Sequence, residues 1–321
     1  MEAALLVENL SVSFRQRRMR IDAVREVSLE IARGECLALV GESGSGKTQL
    51  FQAAMQLLPE NGAAEGRVIF QGMDLIDADA ATLNRVRGSK IAMIFQDPMT
   101  SLTPHLQIGT QLAEVLVQHA GISWREAWGS AQRMLERMQI NEPRRRLKQY
   151  PHELSGGMRQ RVVIGMSLIC DPSLLIADEP TASLDVTVQG QIMEVLRAMR
   201  RELQMALVLI SHDLAIVAGI ADRVAVMYAG RIVESGAASE VLCRPLHPYT
   251  AELLRCIPQM SGPVPARMAT LSGQPPRPED PQSACAFAPR CPRAAERCRA
   301  ERPPLRGLGR GSAACHFPLD P

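Results

Sequence analysis

Short apolar runs alternate with longer amphipathic stretches over most of the chain. Residues 36–40, 67–70, 90–96, 173–178, 206–211 and 223–228 read as strands. Residues 47–58, 107–119, 124–139, 157–169, 187–203 and 213–221 read as helices. This alternation predicts an α/β layered domain with a largely parallel sheet. From about 97 to 170 the alternation stops, and amphipathic helices without a convincing strand predict a helical subdomain inserted into the α/β core. Past about residue 240 the pattern changes again. Pro258, Pro263, Pro265, Pro275, Pro276, Pro278 and Pro281 mark an extended linker over 258–281. Residues 282–321 are rich in Cys, Arg and Pro, with little helix or strand period. There is no internal repeat.

The first strand and first helix flank Gly41-Glu-Ser-Gly-Ser-Gly-Lys-Thr48, which fits G-x-x-x-x-G-K-[ST]. Strand, glycine loop and helix come in the order that phosphate binding needs. Gly41, Gly44 and Gly46 allow a tight turn that aims backbone N–H groups inward, with Ser43 and Ser45 between them. The helix N-terminus adds a partial positive charge. Lys47 is placed to reach the β- and γ-phosphates, and the Thr48 hydroxyl to ligate Mg²⁺. Without its context the same octapeptide would be an ordinary glycine turn capping a helix.

Composition sharpens this reading. Of 36 Lys and Arg residues, only positions 47, 90 and 148 are lysine. A compact ammonium suits a narrow phosphate loop where the broad guanidinium does not. The chain has 321 residues with 46% apolar content, enough for one large α/β domain and an appendage. A net charge of +2 argues against a nucleic-acid-binding surface. No apolar run approaches ~18 residues, and the N-terminus lacks a signal-peptide layout. A cytosolic setting is therefore expected, in which eight cysteines point to metal or cluster binding rather than disulfides.

Two further segments fit a nucleotide site. Residues 173–178 form an apolar strand ending in Asp178, with Glu179 next. Asp178 is placed to hold the Mg²⁺ shell, and Glu179 to polarise attacking water as general base. Leu154-Ser-Gly-Gly-Met158 opens another helix, so Ser155, Gly156 and Gly157 make a second anion-binding helix end. Alone, each segment has a bland structural alternative: a polar strand end, or a helix cap. Two phosphate-binding helix ends with only one lysine loop suggest a nucleotide held between the loop of one subunit and the Ser-Gly-Gly of another.

With these motifs in order, the chain resembles the ATP-binding cassette (ABC) ATPases over roughly residues 1–240. The resemblance implies that Phe14 stacks on adenine and that Gln96 senses Mg²⁺ and nucleotide while contacting a membrane subunit. It makes Leu154–Met158 the signature motif and Ser183-Leu-Asp185 a loop that communicates across a dimer, with Asp185 near the nucleotide. His212 in Ile-Ser-His-Asp becomes the switch residue at the γ-phosphate. Alone, Phe14 would be core, Gln96 a strand-end polar residue and His212 a cap or structural histidine. The implied fold is a P-loop NTPase cassette: a RecA-like α/β core, the inserted helical subdomain and an N-terminal antiparallel β portion. The departures are Met158 for glutamine, Phe14 for tyrosine and Ala182 before Ser183, none of which removes a catalytic group.

Residues 93–104, 150–158, 185–189, His247-Pro-Tyr-Thr250 and the tail from Cys285 to Pro292 are similar to the dipeptide/oligopeptide importer branch, most of all to the D-type ATPases of dipeptide permeases. The branch implies ATP and Mg²⁺ as cofactors, with catalysis by Lys47, Glu179 and His212. Its partners would be a second ATPase in a heterodimer, two transmembrane permease subunits and an external substrate-binding protein. The location would be the cytoplasmic face of the inner membrane. Alternatives are the same role for another small solute, such as a nickel chelate, or a soluble ABC ATPase acting on ribosomes or DNA. The single cassette and absence of a long coiled coil argue against the soluble roles. An ATP-binding protein without turnover is disfavoured by intact Glu179 and His212.

The expected organisation is a cassette over 1–240 and a C-terminal extension over 241–321. Within the extension, Cys285, Cys291, Cys298 and Cys315 are separated by five, six and sixteen residues, suggesting a Cys₄ site. The spacing fits neither tight zinc pairs nor ferredoxin runs. The family resemblance implies a [4Fe–4S] cluster there, remote from ATP, against the alternative of four unliganded thiols. Cys36, Cys170, Cys243 and Cys256 are expected to be buried packing residues.

Overall fold

The computed structural model describes residues 3–17, 19–96, 101–182, 184–256, 271–277, 280 and 283–319. The chain begins with two long strands, β1 (Ala3–Gln16) and β2 (Met19–Ala32), followed by β3 (Cys36–Val40) and α1 (Lys47–Ala54). Next come β4 (Gly62–Phe70), β5 (Met73–Asp74), α2 (Ala80–Val86) and β6 (Ile91–Ile94). Four helices follow: α3 (Ile108–Ala120), α4 (Trp124–Arg137), α5 (Pro143–Arg146) and α6 (Gly156–Leu168). Then β7 (Leu174–Asp178), α7 (Val186–Leu203), β8 (Ala206–Ile210), α8 (Leu214–Ile220), β9 (Arg223–Tyr228) and β10 (Arg231–Ala237) restore the alternation. The C-terminal part holds α9 (Ala238–Cys243), α10 (Pro248–Arg255), α11 (Glu296–Ala300), β11 (Arg306–Gly307) and β12 (Gly311–Ala313).

These elements form two compact units. One comprises residues 1–4, 31–35 and 77–209. In it β6, β7 and β8 lie side by side, with β6 and β7 parallel from Ile91 opposite Leu174 to Ile94 opposite Ala177. The inserted helices make their own core. Ile108, Leu112, Ala113 and Leu116 of α3 are buried, as are Ala127, Ala131, Met134 and Leu135 of α4. Ser123 and Glu126 close a capping box on α4, which satisfies two of its orphan donors. Gly121 ends α3 in the left-handed conformation. Among the described residues between 97 and 170 there is no strand, as the sequence pattern predicts.

The other unit comprises residues 5–30, 36–76 and 210–321. It carries a four-stranded antiparallel sheet in the order β2-β1-β4-β5 and a second set in the order β11-β12-β10-β9-β3. β3 is parallel to β9 and buried at every residue. That burial on both faces explains its unbroken apolar run.

The strands at 36–40 and 223–228 coincide with those read from the sequence, and the other four overlap theirs. β1 and β2 escaped the periodicity because a left-handed residue interrupts each, with a register shift in β1. Asn9 and Glu26 take φ of 49° and 50°, which shifts the in–out alternation along each strand. Ser28 Oγ accepts the Asn9 N–H and Ser11 Oγ the Glu26 N–H, so each irregularity is held by a serine. α1 stops at Ala54 rather than at 58, because Gln56 takes a left-handed φ of 47°. In the tail, β12 pairs antiparallel with β10, extending the sheet. Elements of two to five residues carry no readable period, which is why 282–321 looked structureless.

Candidate functional site

The glycine loop leaves β3 at Gly41 and enters α1 at Gly46. A Cβ at Gly41 (φ 152°) would lie 2.1 Å from the Met227 carbonyl oxygen, and one at Gly46 (φ 101°) 2.3 Å from the Ala23 carbonyl oxygen. Both positions therefore require glycine on steric and backbone grounds. Nothing lies within 4 Å of a Cβ built at Gly44, so the loop is open there. Gly46 caps α1 without a side-chain bond, and the first turn contains no acidic residue. This helix end is thus electropositive and free of its own carboxylates.

Lys47 is buried, and its Nζ donates to the Gly41 and Glu42 carbonyl oxygens at 2.8 Å each and to Ser45 Oγ at 3.3 Å. The ammonium thus lies across the loop with only neutral acceptors among these partners. Ser43, Gly44 and Ser45 also line a cavity of about 200 Å³ with Asp22, Tyr228 and Pro275. Thr48 follows at the start of α1. In the same unit, Phe14 sits opposite Gly62 in the β1–β4 pair, beside a surface cavity of about 610 Å³. Ser211 N–H donates to the Leu39 carbonyl oxygen, fixing the start of the exposed His212 segment against β3. Asp213 then caps α8 through the Ala215 and Ile216 amides.

The other unit holds the remaining site residues. Asp178 ends β7 and is 1% exposed, while Glu179 turns the chain with φ 48°. A left-handed glutamate directly after a buried strand is a strained position of the sort found at functional sites. Gln96 Nε2 donates to Glu179 Oε2 at 3.4 Å, which brings these two together. The Gln160 amide donates to the Pro180 carbonyl oxygen and holds the turn from below. Ser155 caps α6 by accepting from Met158 N–H, and Ser155 and Gly156 are exposed. A Cβ at Gly157 would meet Val188 Cγ1 at 2.9 Å, so this glycine lets α6 approach α7. Asp185 caps α7 through the Val188 amide, also on the surface, beside Val186 at 84% exposure. Ser183 and the residues following Gln96 as far as 100 lie outside the described residues.

Sequence reading missed two side chains that bond to Glu42 of the glycine loop. Arg290 donates from Nη1 and Nη2 to the two Glu42 carboxylate oxygens at 2.7 and 2.8 Å, from Nη1 to Tyr228 Oη at 3.2 Å and from Nε to the Ser272 carbonyl oxygen at 2.9 Å. Tyr249 Oη accepts the Glu42 N–H at 2.9 Å. Tyr228, Tyr249 and Phe287 pack edge-on or tilted around this point. Glu42 bonds raise the Arg290 pKa above its ordinary value, and burial raises that of Tyr249. Arg290 lies 248 residues from Glu42, so no local pattern announced it.

The tail cysteines converge. Cys285, Cys291, Cys298 and Cys315 line one small cavity with Phe287, Ala288 and His316. Cys285 N–H donates to the Cys298 carbonyl oxygen at 3.0 Å. Burial pushes the Cys285, Cys291 and Cys315 thiols up, Cys315 to about 11, and the neighbouring cysteines add to the effect. No group of three or more His, Cys, Asp or Glu among the described residues is set to hold a metal ion. Of the other four cysteines only Cys36 is buried. Cys170 and Cys256 are intermediate, and Cys243 is exposed at the end of α9, contrary to the packing role expected for it.

Comparisons with known proteins converge on one group. A family model described as ABC transporter matches residues 24–182, and one described as oligopeptide/dipeptide transporter, C-terminal region, matches 233–298. The chain is 47% identical over 317 residues to the oligopeptide transport ATP-binding protein OppD of Salmonella typhimurium, covering 98% of this chain and 94% of that one. It is 46% identical over 296 residues to the dipeptide transport ATP-binding protein DppD of Bacillus subtilis, covering 91% and 88%. Among solved structures, a dimeric ATP-binding cassette in a post-hydrolysis state with ADP and Pi matches with a TM-score of 0.65 at 26% identity, covering 73% of this chain and 98% of that one. CbiO1 of Clostridium perfringens, part of an ABC transporter complex, matches with a TM-score of 0.65 at 30% identity, covering 76% and 92%.

Proposed function

The chain belongs to the ABC transporter ATP-binding family, in its oligopeptide/dipeptide branch, and from that premise we propose that it hydrolyses ATP to power the import of dipeptides and oligopeptides. The observation that carries this reading is the glycine loop: a buried ammonium across a strand–loop–helix turn whose helix end lacks acidic side chains. Such an end takes the phosphates of a nucleotide. On binding, Lys47 exchanges its loop oxygens for phosphate oxygens, and the loop amides orient the chain of phosphates. Phe14 takes the adenine face. Thr48, Asp178 and Gln96 would hold Mg²⁺, which would neutralise phosphate charge. Glu179 accepts a proton from the attacking water, with Gln96 holding its carboxylate, and His212 bonds the γ-phosphate. Ser155, Gly156, Gly157 and Asp185 serve the nucleotide of a partner ATPase, a role suited to the exposure of Ser155, Gly156 and Asp185.

The partners are a second ATPase subunit, two membrane permease subunits and an external binding protein. Among the described residues no helix is long and apolar enough to cross a membrane; the proposed place of the chain is the cytoplasmic face of the membrane, against the permeases. The division into a cassette over 1–240 and an importer-type extension with its Cys-rich tail belongs to the same reading, supported by the C-terminal match at 233–298. Glu179→Gln in the assembled transporter tests the mechanism. ATP binding should persist while phosphate release falls by about 10²–10⁴-fold and peptide uptake stops. Near-normal turnover would refute the role of Glu179.

The cysteine cavity is proposed to hold a [4Fe–4S] cluster. Support comes from the donor set alone: four cysteines line one small cavity, the ligand number such a cluster takes, while as the side chains stand no three of them are set to hold a metal and burial favours the neutral thiols. When bound, the cluster would cross-link a tail made of very short elements. Anaerobic purification should yield about four irons and four sulfides per chain, lost in Cys291→Ser. Protein free of iron and sulfide sinks this assignment and leaves the ATPase reading standing.

A further inference from the structure

Glu42 is the first variable residue of the glycine loop, and it is held at all three of its polar groups. Its N–H goes to Tyr249, its carbonyl oxygen to Lys47 and its carboxylate to Arg290. The Arg290 side chain is 4% exposed, its guanidinium carbon lies 5.8 Å from the centre of the Tyr228 ring, and its fork fits both carboxylate oxygens. Two-point pairing of this kind fixes orientation as well as charge. Tyr228 ends β9, and two residues on, Gly230 N–H donates to the Ser45 carbonyl oxygen, so the β9–β10 turn grips the same loop. The tail supplies Arg290 from the 3-10 turn Ala288–Arg290, and the next residue is Cys291 of the cysteine cavity.

A carboxylate in a loop that receives a triphosphate is an electrostatic liability, since like charges at close range repel. Arg290 cancels that charge and keeps the carboxylate turned onto the guanidinium. We propose that Arg290 is a positioning residue for ATP: by neutralising and fixing Glu42, the C-terminal tail sets the affinity of the phosphate loop. The proposal rests on the nucleotide reading of that loop and goes beyond it, because it makes a segment outside the cassette motifs part of the nucleotide site. It also places the cysteine cavity one peptide bond from the residue that pairs with Glu42 of that loop.

The experiment is a fluorescent ATP-analogue titration of the full chain, with melting temperatures, followed by KM and kcat in the assembled transporter. Arg290→Ala should weaken nucleotide binding about tenfold, with kcat changed far less than KM. Arg290→Lys should fall between, because lysine restores the charge without the fork. In the double variant Arg290→Ala/Glu42→Gln, most of the lost affinity should return, although the tail contact is still broken. A mere fold-stabilising role for Arg290 predicts no such rescue. Unchanged affinity in Arg290→Ala, or a loss that persists undiminished in the double variant, overturns the proposal. Should Arg290→Ala not yield folded protein, Arg290→Lys decides: weaker binding that an added Glu42→Gln restores supports it, and binding equal to the unaltered chain, or a loss that Glu42→Gln leaves undiminished, overturns it. Lys47→Ala separates the two readings. If it abolishes binding while Arg290→Ala matches the unaltered chain, only the tail proposal falls. If the unaltered chain binds no nucleotide, both fall.

Discussion

Mild acid should destabilise the C-terminal part of this chain through one histidine. His247 is 1% exposed, caps α10 by accepting the Tyr249 N–H at Nδ1 and packs against Phe287. Burial pushes its pKa from 6.5 down to about 4, partly offset by a backbone hydrogen bond with Ala314. In the unfolded chain it titrates near 6.5, so between about 6.5 and 4 the unfolded state binds more protons. Stability is therefore full above pH 6.5 and is lost as pH falls through that window. A shift of this size corresponds to about 3 kcal/mol at most. Glu234 works in the opposite direction. Its carboxyl is buried, accepts the Leu246 and His247 amides and titrates above its ordinary value, so it takes up a proton in the folded state as pH falls. The net loss is then smaller than the histidine alone would give. Urea midpoints from pH 8 to 4.5 for the unaltered chain and for His247→Asn isolate the histidine, because asparagine keeps a cap but does not titrate. The unaltered chain should lose more stability below pH 6.5 than the variant. Parallel curves would refute the buried neutral imidazole.

Two glycine substitutions test the backbone geometry. Gly46→Ala would drive a Cβ against the Ala23 carbonyl oxygen at a left-handed φ, so it should abolish ATP-analogue binding and cost about 2–4 kcal/mol in urea midpoints. Gly157→Val would push α6 off Val188, so ATP binding to the isolated chain should survive while transporter turnover drops at least about tenfold; equal turnover would count against the signature role of α6.

Legibility followed sequence distance. The glycine loop, the β7 carboxylates and the α6 cap are each contiguous, and each needs particular residue types at fixed offsets. Gly41 and Gly46 could be read from the sequence because no other residue tolerates their backbone and crowding. β3 and β7 could be read because burial on both faces leaves an unbroken apolar run. β1 and β2 could not be read from the residues, since the left-handed Asn9 and Glu26 break the period and only the family likeness implied a β portion there. The exposed Cys243 shows the limit of residue type as a guide. Cysteine is usually buried, yet the end of a six-residue helix leaves this one in solvent.

Arg290 marks the other limit. Ala-Pro-Arg-Cys lies in a tail segment with family likeness, yet nothing in it ties this arginine to the glycine loop, because the carboxylate it pairs with is 248 residues away. The tail reaches that carboxylate only because several long-range pairings set it in place. β12 zips onto β10, Ala314 N–H donates to the Val233 carbonyl oxygen and Leu319 N–H to that of Leu246. The buried Glu234 carboxylate holds the start of α10, which presents Tyr249 to Glu42. Each pairing is weak as a sequence signal, and together they carry the extension onto the phosphate loop. The nucleotide chemistry proposed for this chain would thus be encoded at two ranges: the reacting groups in short motifs, and the electrostatic setting of the loop in contacts, such as Arg290 with Glu42, that span most of the chain.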